Sequence, residues 1–317
     1  MPKIKYKPSG FPPGSPSNLL NKQDLNITLP ELIWGCITVG KFGLFDLTCF
    51  GVISFHEIFF KWHLILANLD ITNGRFSKSF LYENLDPTEK AVVSYYLGMT
   101  FTKVFADKRL NTPWLYHVSK IDPLYIAFHP GDSRPDLIGD DMNGDWIVAE
   151  AKGRTNGFCS KTMLAAKKQT LQIKNINGKK PILRVAFQSH FNKHLELAVA
   201  DPPEPDRNAK DLNFDKVFAI RQYYEYLVNV LMNSNSSRDT KHGSVRIIEF
   251  KEIGLTVGLL ESILEAWHSD VSLIKAQDTL RSKVFETEDA NSLSSIQKTN
   301  EQFFRDGVYI SIRESTG

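Results

Sequence analysis

Three side chains near the middle of the chain, Asp136, Glu150 and Lys152, have the types and spacing needed for metal-assisted hydrolysis of a phosphate ester. Glu150 and Lys152 end the apolar run Trp146-Ile147-Val148-Ala149-Glu150-Ala151-Lys152. Side chains alternate along a strand, so these two point to one face and Ala151 to the other. Asp136 opens a second apolar run, Leu137-Ile138-Gly139, and Asn143-Gly144 between the runs has the chemistry of a hairpin turn. If the runs pair antiparallel, Asp136 arrives beside the other two. The result is an acidic cup with one ammonium at its rim, which suits a divalent cation and an attacking water.

An acid-x-Lys tripeptide alone says little, since roughly two accidental matches are expected in a chain this long. Three occur: Glu150-Ala151-Lys152, Asp239-Thr240-Lys241 and Glu249-Phe250-Lys251. The second adjoins a polar stretch, Asn233 to Arg238, and reads as solvated loop. The third follows Val245-Arg246-Ile247-Ile248 and can lie on a strand, but no Asp closes an apolar run at hairpin distance before it. Only the first has the Pro135-Asp136 opening, a hairpin turn and apolar strands on both sides. The competing explanation is an exposed hairpin with a surface ion pair, which contributes little to stability.

Pro135-Asp136 followed by Glu150-Ala151-Lys152 resembles the active-site signature of the PD-(D/E)xK nuclease superfamily, the restriction-endonuclease-like fold. The resemblance covers about a third of the chain. It implies that Asp136 and Glu150 bind magnesium or manganese, helped by the Ala151 carbonyl, and that Lys152 holds the nucleophilic water or the scissile phosphate. It also implies accessory groups: a carboxylate on the helix before the first core strand, for which Glu89 is the candidate, and a glutamine on the helix after the lysine, Gln169 or Gln172. Glu89 has a full explanation as a helix cap, and the glutamines as an exposed helix face.

The composition is that of a globular protein, with 317 residues, 42% hydrophobic and 23% charged. A net charge of +2 does not mark a nucleic-acid binder, but local charge does better. From Gly153 to Leu195 there is no Asp or Glu, while Arg154, Lys161, Lys167, Lys168, Lys174, Lys179, Lys180, Arg184 and Lys193 all fall inside. A basic apron beginning next to the metal site is what a phosphodiesterase needs to hold a polyanion, and Arg154, Lys161, Lys167, Lys168 and Lys174 are the expected backbone contacts. Three scattered cysteines, Cys36, Cys49 and Cys159, favour neither a disulfide scaffold nor structural zinc and point to a reducing, cytoplasmic setting. No signal peptide is expected at the N-terminus, and the apolar stretch from Leu44 to Phe60 carries Asp46, His56 and Glu57, which argues against a membrane span. No phosphate-binding loop or dinucleotide fingerprint occurs, so neither ATP nor NAD is expected.

Four segments are expected to position the site. Residues 1–23, rich in Pro, Ser and Lys, read as a mobile tail, and residues 24–82 as an apolar helical module whose core includes Trp34, Phe42, Phe45, Phe50, Phe55, Phe59, Phe60 and Trp62. Residues 83–200 read as the nuclease core. It opens with a helix capped at Asp86-Pro87-Thr88-Glu89, whose buried stripe includes Val92, Tyr95, Tyr96, Met99, Val104 and Phe105. Strands over 114–118 and 124–128, the hairpin, a helix from Ser160 to about Ile176 and a strand over 180–187 complete it. His117 and His129 lie near the hairpin in sequence, but a lone strand histidine is more often a packed residue. Residues 201–317, beyond a proline-rich boundary, read as a mainly helical extension with helices near 214–227, 256–268 and 272–285 and a strand over 307–312. The expected fold is α+β or α/β, a restriction-endonuclease-like mixed sheet flanked by helices. The expected function is a magnesium-dependent DNA endonuclease in restriction or antiviral defence, with RNA left open and a homo-oligomer or partner protein as possible controller. The alternatives are a non-catalytic nucleic-acid-binding or assembly protein that keeps the fold, and a scaffold whose hairpin match is accidental.

Overall fold

The computed structural model describes residues 1–39, 53–121, 127–129, 131–202, 205, 207–232, 234–283 and 300–313. The N-terminal part comprises β1 (Lys3–Ser9), β2 (Gln23–Asn26), α1 (Leu29–Thr38), α2 (Ile53–Asn68), β3 (Leu69–Thr72), β4 (Arg75–Lys78) and α3 (Phe80–Asn84). The middle holds α4 (Pro87–Leu110), β5 (Trp114–His117), α5 (Val118–Ile121), β6 (Leu137–Asp140), β7 (Trp146–Arg154), α6 (Ser160–Thr170), β8 (Ile173–Ile176), β9 (Leu183–Phe191) and β10 (Leu195–Ala200). There follow β11 (Lys210–Leu212), α7 (Lys216–Leu231), β12 (Ser237–Thr240), β13 (Gly243–Phe250), β14 (Leu255–Leu260), α8 (Glu261–Ala266), α9 (Asp270–Ser282), β15 (Glu301–Phe303) and β16 (Val308–Ile312).

A large mixed sheet runs in the order β3-β4-β1-β10-β9-β7-β6-β5, with β2 paired to β1. β5, β6 and β7 form an antiparallel meander, β7 and β9 are parallel across the α6 crossover, and β10 returns antiparallel to β9. From Trp146 to Ala151 every residue of β7 is buried, the mark of a strand covered on both faces. α4 covers one face and α6 the other. α4 starts where the capping signal placed it: the Asp86 carboxylate accepts from the amides of Thr88 and Glu89, and the Glu89 carboxylate accepts from the Asp86 amide. It crosses β7 at glycine-only distance. A Cβ on Gly153 would lie 1.6 Å from the Ser94 carbonyl oxygen, and one on Gly98 would lie 2.8 Å from the Gly153 nitrogen.

The expected tail is instead an interior strand. β1 pairs in parallel with β10 and β4 and antiparallel with β2, burying Ile4 and Tyr6. Lys3, Lys5 and Lys7 alternate with Ile4, Tyr6 and Pro8, a period-two pattern hidden by composition. The main sheet therefore draws on residues before 83 as well as on the expected core. Trp34 and Trp62 are buried as foreseen, whereas Phe60 is half exposed. Phe42, Phe45, Phe50 and the Leu124-Tyr125-Ile126 part of an expected strand lie outside the described residues. α6 ends at Thr170 rather than Ile176, because Ile173–Ile176 pairs with β11 as a strand. In α4, Val92 and Tyr95 leave the expected buried stripe for the surface, and Val93, Leu97 and Phe101 take the interior.

The C-terminal part is not mainly helical. It holds a five-stranded antiparallel sheet, β12-β13-β14-β16-β15, alongside α7, α8 and α9. β14 occupies the start of an expected helix; Leu255-Thr256-Val257-Gly258-Leu259-Leu260 is buried throughout, and a continuous apolar run does not distinguish helix from strand. Asp239 and Thr240, expected in a loop, belong to edge strand β12. This part is clamped to the main sheet through buried charges. Asp140, at the end of β6, binds Lys216 of α7 at 3.0 Å, Arg281 of α9 at 2.5 Å and the Gln277 amide of α9 at 3.2 Å. Among the described residues no helix is long and apolar enough to cross a membrane.

Candidate active site

The β6–β7 register, Leu137↔Ala149 through Asp140↔Trp146, sets Asp136 one step outside β6 and opposite Glu150. The connecting turn fixes that register. The Asp141 carboxylate accepts from the amides of Asn143 and Asp145, each at 2.8 Å, and Gly144 adopts φ 80°. A slip of one residue would carry the acidic pair to opposite faces. In place, each carboxylate accepts a backbone amide from the opposite segment. The Asp136 amide donates to Glu150 Oε2 at 2.7 Å, and the Ala151 amide donates to Asp136 Oδ2 at 3.2 Å.

Pro135 completes this arrangement by what it lacks. The N–H and C=O of one strand residue point to the same edge, so the Ala151 carbonyl faces the β6 side, as its amide does. Continuing the register one more step would set Pro135, which has no N–H to offer, across from Ala151 on the side its carbonyl faces.

Gly153 faces α4, so alternation turns Ala151 to α4 and Glu150 and Lys152 toward α6. Ala151 pairs with Phe187, whose ring meets Phe105 of α4, while Glu150 pairs with Ala186, which packs with Met163 and Ala166 of α6. The Lys152 ammonium donates to Glu150 Oε1. Glu150 is sealed from solvent, whereas the Lys152 side chain keeps 28% of its exposure.

Burial pushes the Glu150 carboxyl up to about 8, with Asp136 adding to the rise and Lys152 and the Asp136 amide opposing it. Tyr95 of α4 is pushed up to about 12 by burial and then by the charge of Asp136, so its phenol stays protonated. His117, at the end of β5, is lowered by burial against the pull of Asp136, and its Nδ1 lies 2.7 Å from the Ser119 hydroxyl. Near neutral pH Glu150 is held mainly as the neutral acid, and a divalent cation beside it would favour its ionised form.

The remaining expected residues divide. Gln169 donates to the Arg134 carbonyl at 2.8 Å, so α6 steadies the loop that delivers Asp136. Gln172 bonds the Lys168 carbonyl beyond the helix end, and Glu89 is committed to its cap; neither is brought to the acids. Arg154 donates to the Gly157 carbonyl and the Thr162 hydroxyl, which ties down the start of α6. Lys161, Lys168 and Lys174 are exposed and Lys167 is half buried. Arg184 is not part of a basic surface: it is buried and donates to the carbonyls of Ile173 and Lys174. Glu249 of the rival tripeptide pairs with Arg313 at the surface. Sequence reasoning missed Gln188, whose amide bonds both the amide and the carbonyl of Cys159 at the start of α6.

No group of three or more His, Cys, Asp or Glu side chains that could hold a metal occurs among the described residues. The donor set here is sparser, two carboxylates and one carbonyl, all oxygen. That set fits magnesium, which keeps several waters and takes further ligands from substrate phosphates. No family model, no curated protein and no solved structure matches the chain.

Proposed function

We propose that the protein is a magnesium-dependent nuclease of the PD-(D/E)xK kind, with a restriction-endonuclease-like core, that cuts DNA in restriction or defence against foreign DNA. The carrying observation is the interlocked pair Asp136 and Glu150, with Lys152 bonded to Glu150 on the same face. The run α4, three antiparallel strands, α6 and a strand parallel to β7 supports the same reading.

Asp136, Glu150 and the Ala151 carbonyl would hold the cation. When bound, it lowers the pKa of a coordinated water and offsets charge on the phosphate. Glu150 must be ionised to serve as a ligand, so loss of its proton is part of loading the site. Lys152 reaches solvent while Glu150 does not, so its ammonium is the group that holds the attacking water or a phosphate oxygen. Gln169 acts through the Arg134 backbone and is a positioning residue.

The test is cleavage of plasmid and single-stranded DNA in magnesium or manganese by the wild type, Asp136→Ala and Lys152→Ala. The expected result is metal-dependent cleavage that both substitutions abolish. Retained DNA binding with no cleavage under any metal would replace this reading with a non-catalytic nucleic-acid-binding role.

A further inference from the structure

Beyond Lys152 the chain leaves β7 through Arg154 into Thr155 and Asn156, and these open onto a cleft of about 550 Å³. Its other walls are Lys78 of β4, Glu83 of α3, and Pro87 and Lys90 of α4. The cleft is a built feature with a polar floor. The Tyr82 hydroxyl lies 2.7 Å from the Ser94 hydroxyl, which lies 2.8 Å from that of Thr155; Tyr82 and Ser94 are buried. α3 is held in place by its Ser79 cap and by the Tyr82 ring against Phe191 of β9. Lys78 stands over the Phe191 ring at 5.7 Å. Neither Lys78 nor Lys90 forms an ion pair with any described residue, so their charge is available to a ligand.

Two lysines call for an anion. Glu83 disfavours a small free dianion and accepts from amino or hydroxyl groups, and Thr155 and Asn156 add donors and acceptors. This mixture suits a nucleotide unit. At the rise of a strand, Thr155 lies roughly 10 Å along the chain from Lys152; because Thr155 turns to α4 and Lys152 to α6, one polynucleotide would meet both by crossing the end of β7. We propose that the cleft takes a nucleotide of the substrate strand beyond the scissile phosphate, its phosphate against Lys78 and Lys90. The assignment rests on the nuclease reading, and it gives the β3–β4 hairpin and α3 a role: they are joined to the catalytic sheet through β4 and β1 and supply the far wall of the substrate channel.

The test is fluorescence anisotropy of the full-length protein with fluorescein-labelled oligodeoxynucleotides, single-stranded and duplex, in EDTA across a salt series. Lys78→Ala/Lys90→Ala is expected to bind about tenfold or more weakly, and its log–log salt slope to flatten by about one for each lysine. Lys78→Arg/Lys90→Arg is expected to restore both, which separates lost charge from a damaged fold. Unchanged affinity and slope in the alanine variant, or no restoration by arginine, would overturn the proposal. So would inorganic phosphate competing as well as the oligonucleotide at equal ionic strength, since the cleft would then be a free-anion site. Because binding is read without metal, the two readings fail separately. Lysine-dependent binding without cleavage leaves the cleft standing and removes the nuclease, and cleavage with indifferent lysines does the reverse.

Discussion

At the scale of single residues the site turns on Glu150, whose folded pKa of about 8 stands above its ordinary 4.5. The folded protein therefore binds a proton that the unfolded chain releases, and stability falls as pH rises from about 4.5 through 8. Glu150→Gln removes that penalty. Its melting temperature should exceed that of the wild type by an amount that grows between pH 5 and 8, on the order of a few kcal/mol at the upper end, while cleavage is lost. Thermal melts at four pH values check this, and a constant difference would show that Glu150 is not the titrating group. Magnesium should narrow the gap by stabilising the wild type alone, by about 2.7 kcal/mol at a hundredfold excess over its dissociation constant. Cleavage should rise with pH over the same window, as Glu150 ionises.

At the scale of elements, the hairpin and the helix behind it decide where the acids stand. Asp141→Ala removes the acceptor of two 2.8 Å bonds in the turn. It should cost about 1–2 kcal/mol in urea unfolding and lower activity by loosening the register that pairs Asp136 with Glu150. Gly153→Ala should cost more, about 2–4 kcal/mol, because its methyl would fall on the Ser94 carbonyl and push α4 off β7. The helix start at Asp86, the hairpin turn and the strand that carries Glu150 and Lys152 were legible because each is encoded in adjacent residues. The end of α6 and the strand nature of β14 were not. Thr170 to Ile176 suits a helix until β11 supplies a partner, and a fully buried run such as Leu255 to Leu260 carries no period.

At the scale of the whole molecule, buried polar clusters join distant parts of the chain. Asp306, in the turn before β16, accepts from the Trp34 indole of α1 at 2.8 Å and from the Tyr223 hydroxyl of α7. Lys103 of α4 bonds the same Tyr223 hydroxyl and lies 4.5 Å from the Trp34 ring centroid. Asp306→Ala leaves a buried lysine without its counter-charge and should destabilise by about 3–5 kcal/mol, measured by denaturant unfolding. A loss below about 1 kcal/mol would mean that the cluster is not what holds the C-terminal part to the sheet.

The sequence by itself determined which residues are able to do chemistry and the strand pair that carries them, because side-chain type, strand alternation and turn preference are local properties. Asp136, Glu150 and Lys152 needed nothing further to be singled out. Only the tertiary structure decided that Asp136 stands opposite Glu150 and that burial raises Glu150 to about 8. It also decided that β1 belongs inside the sheet. These depend on register, desolvation and partners up to almost two hundred residues away, as in Ser9 beside Ala200, and no local pattern contains them.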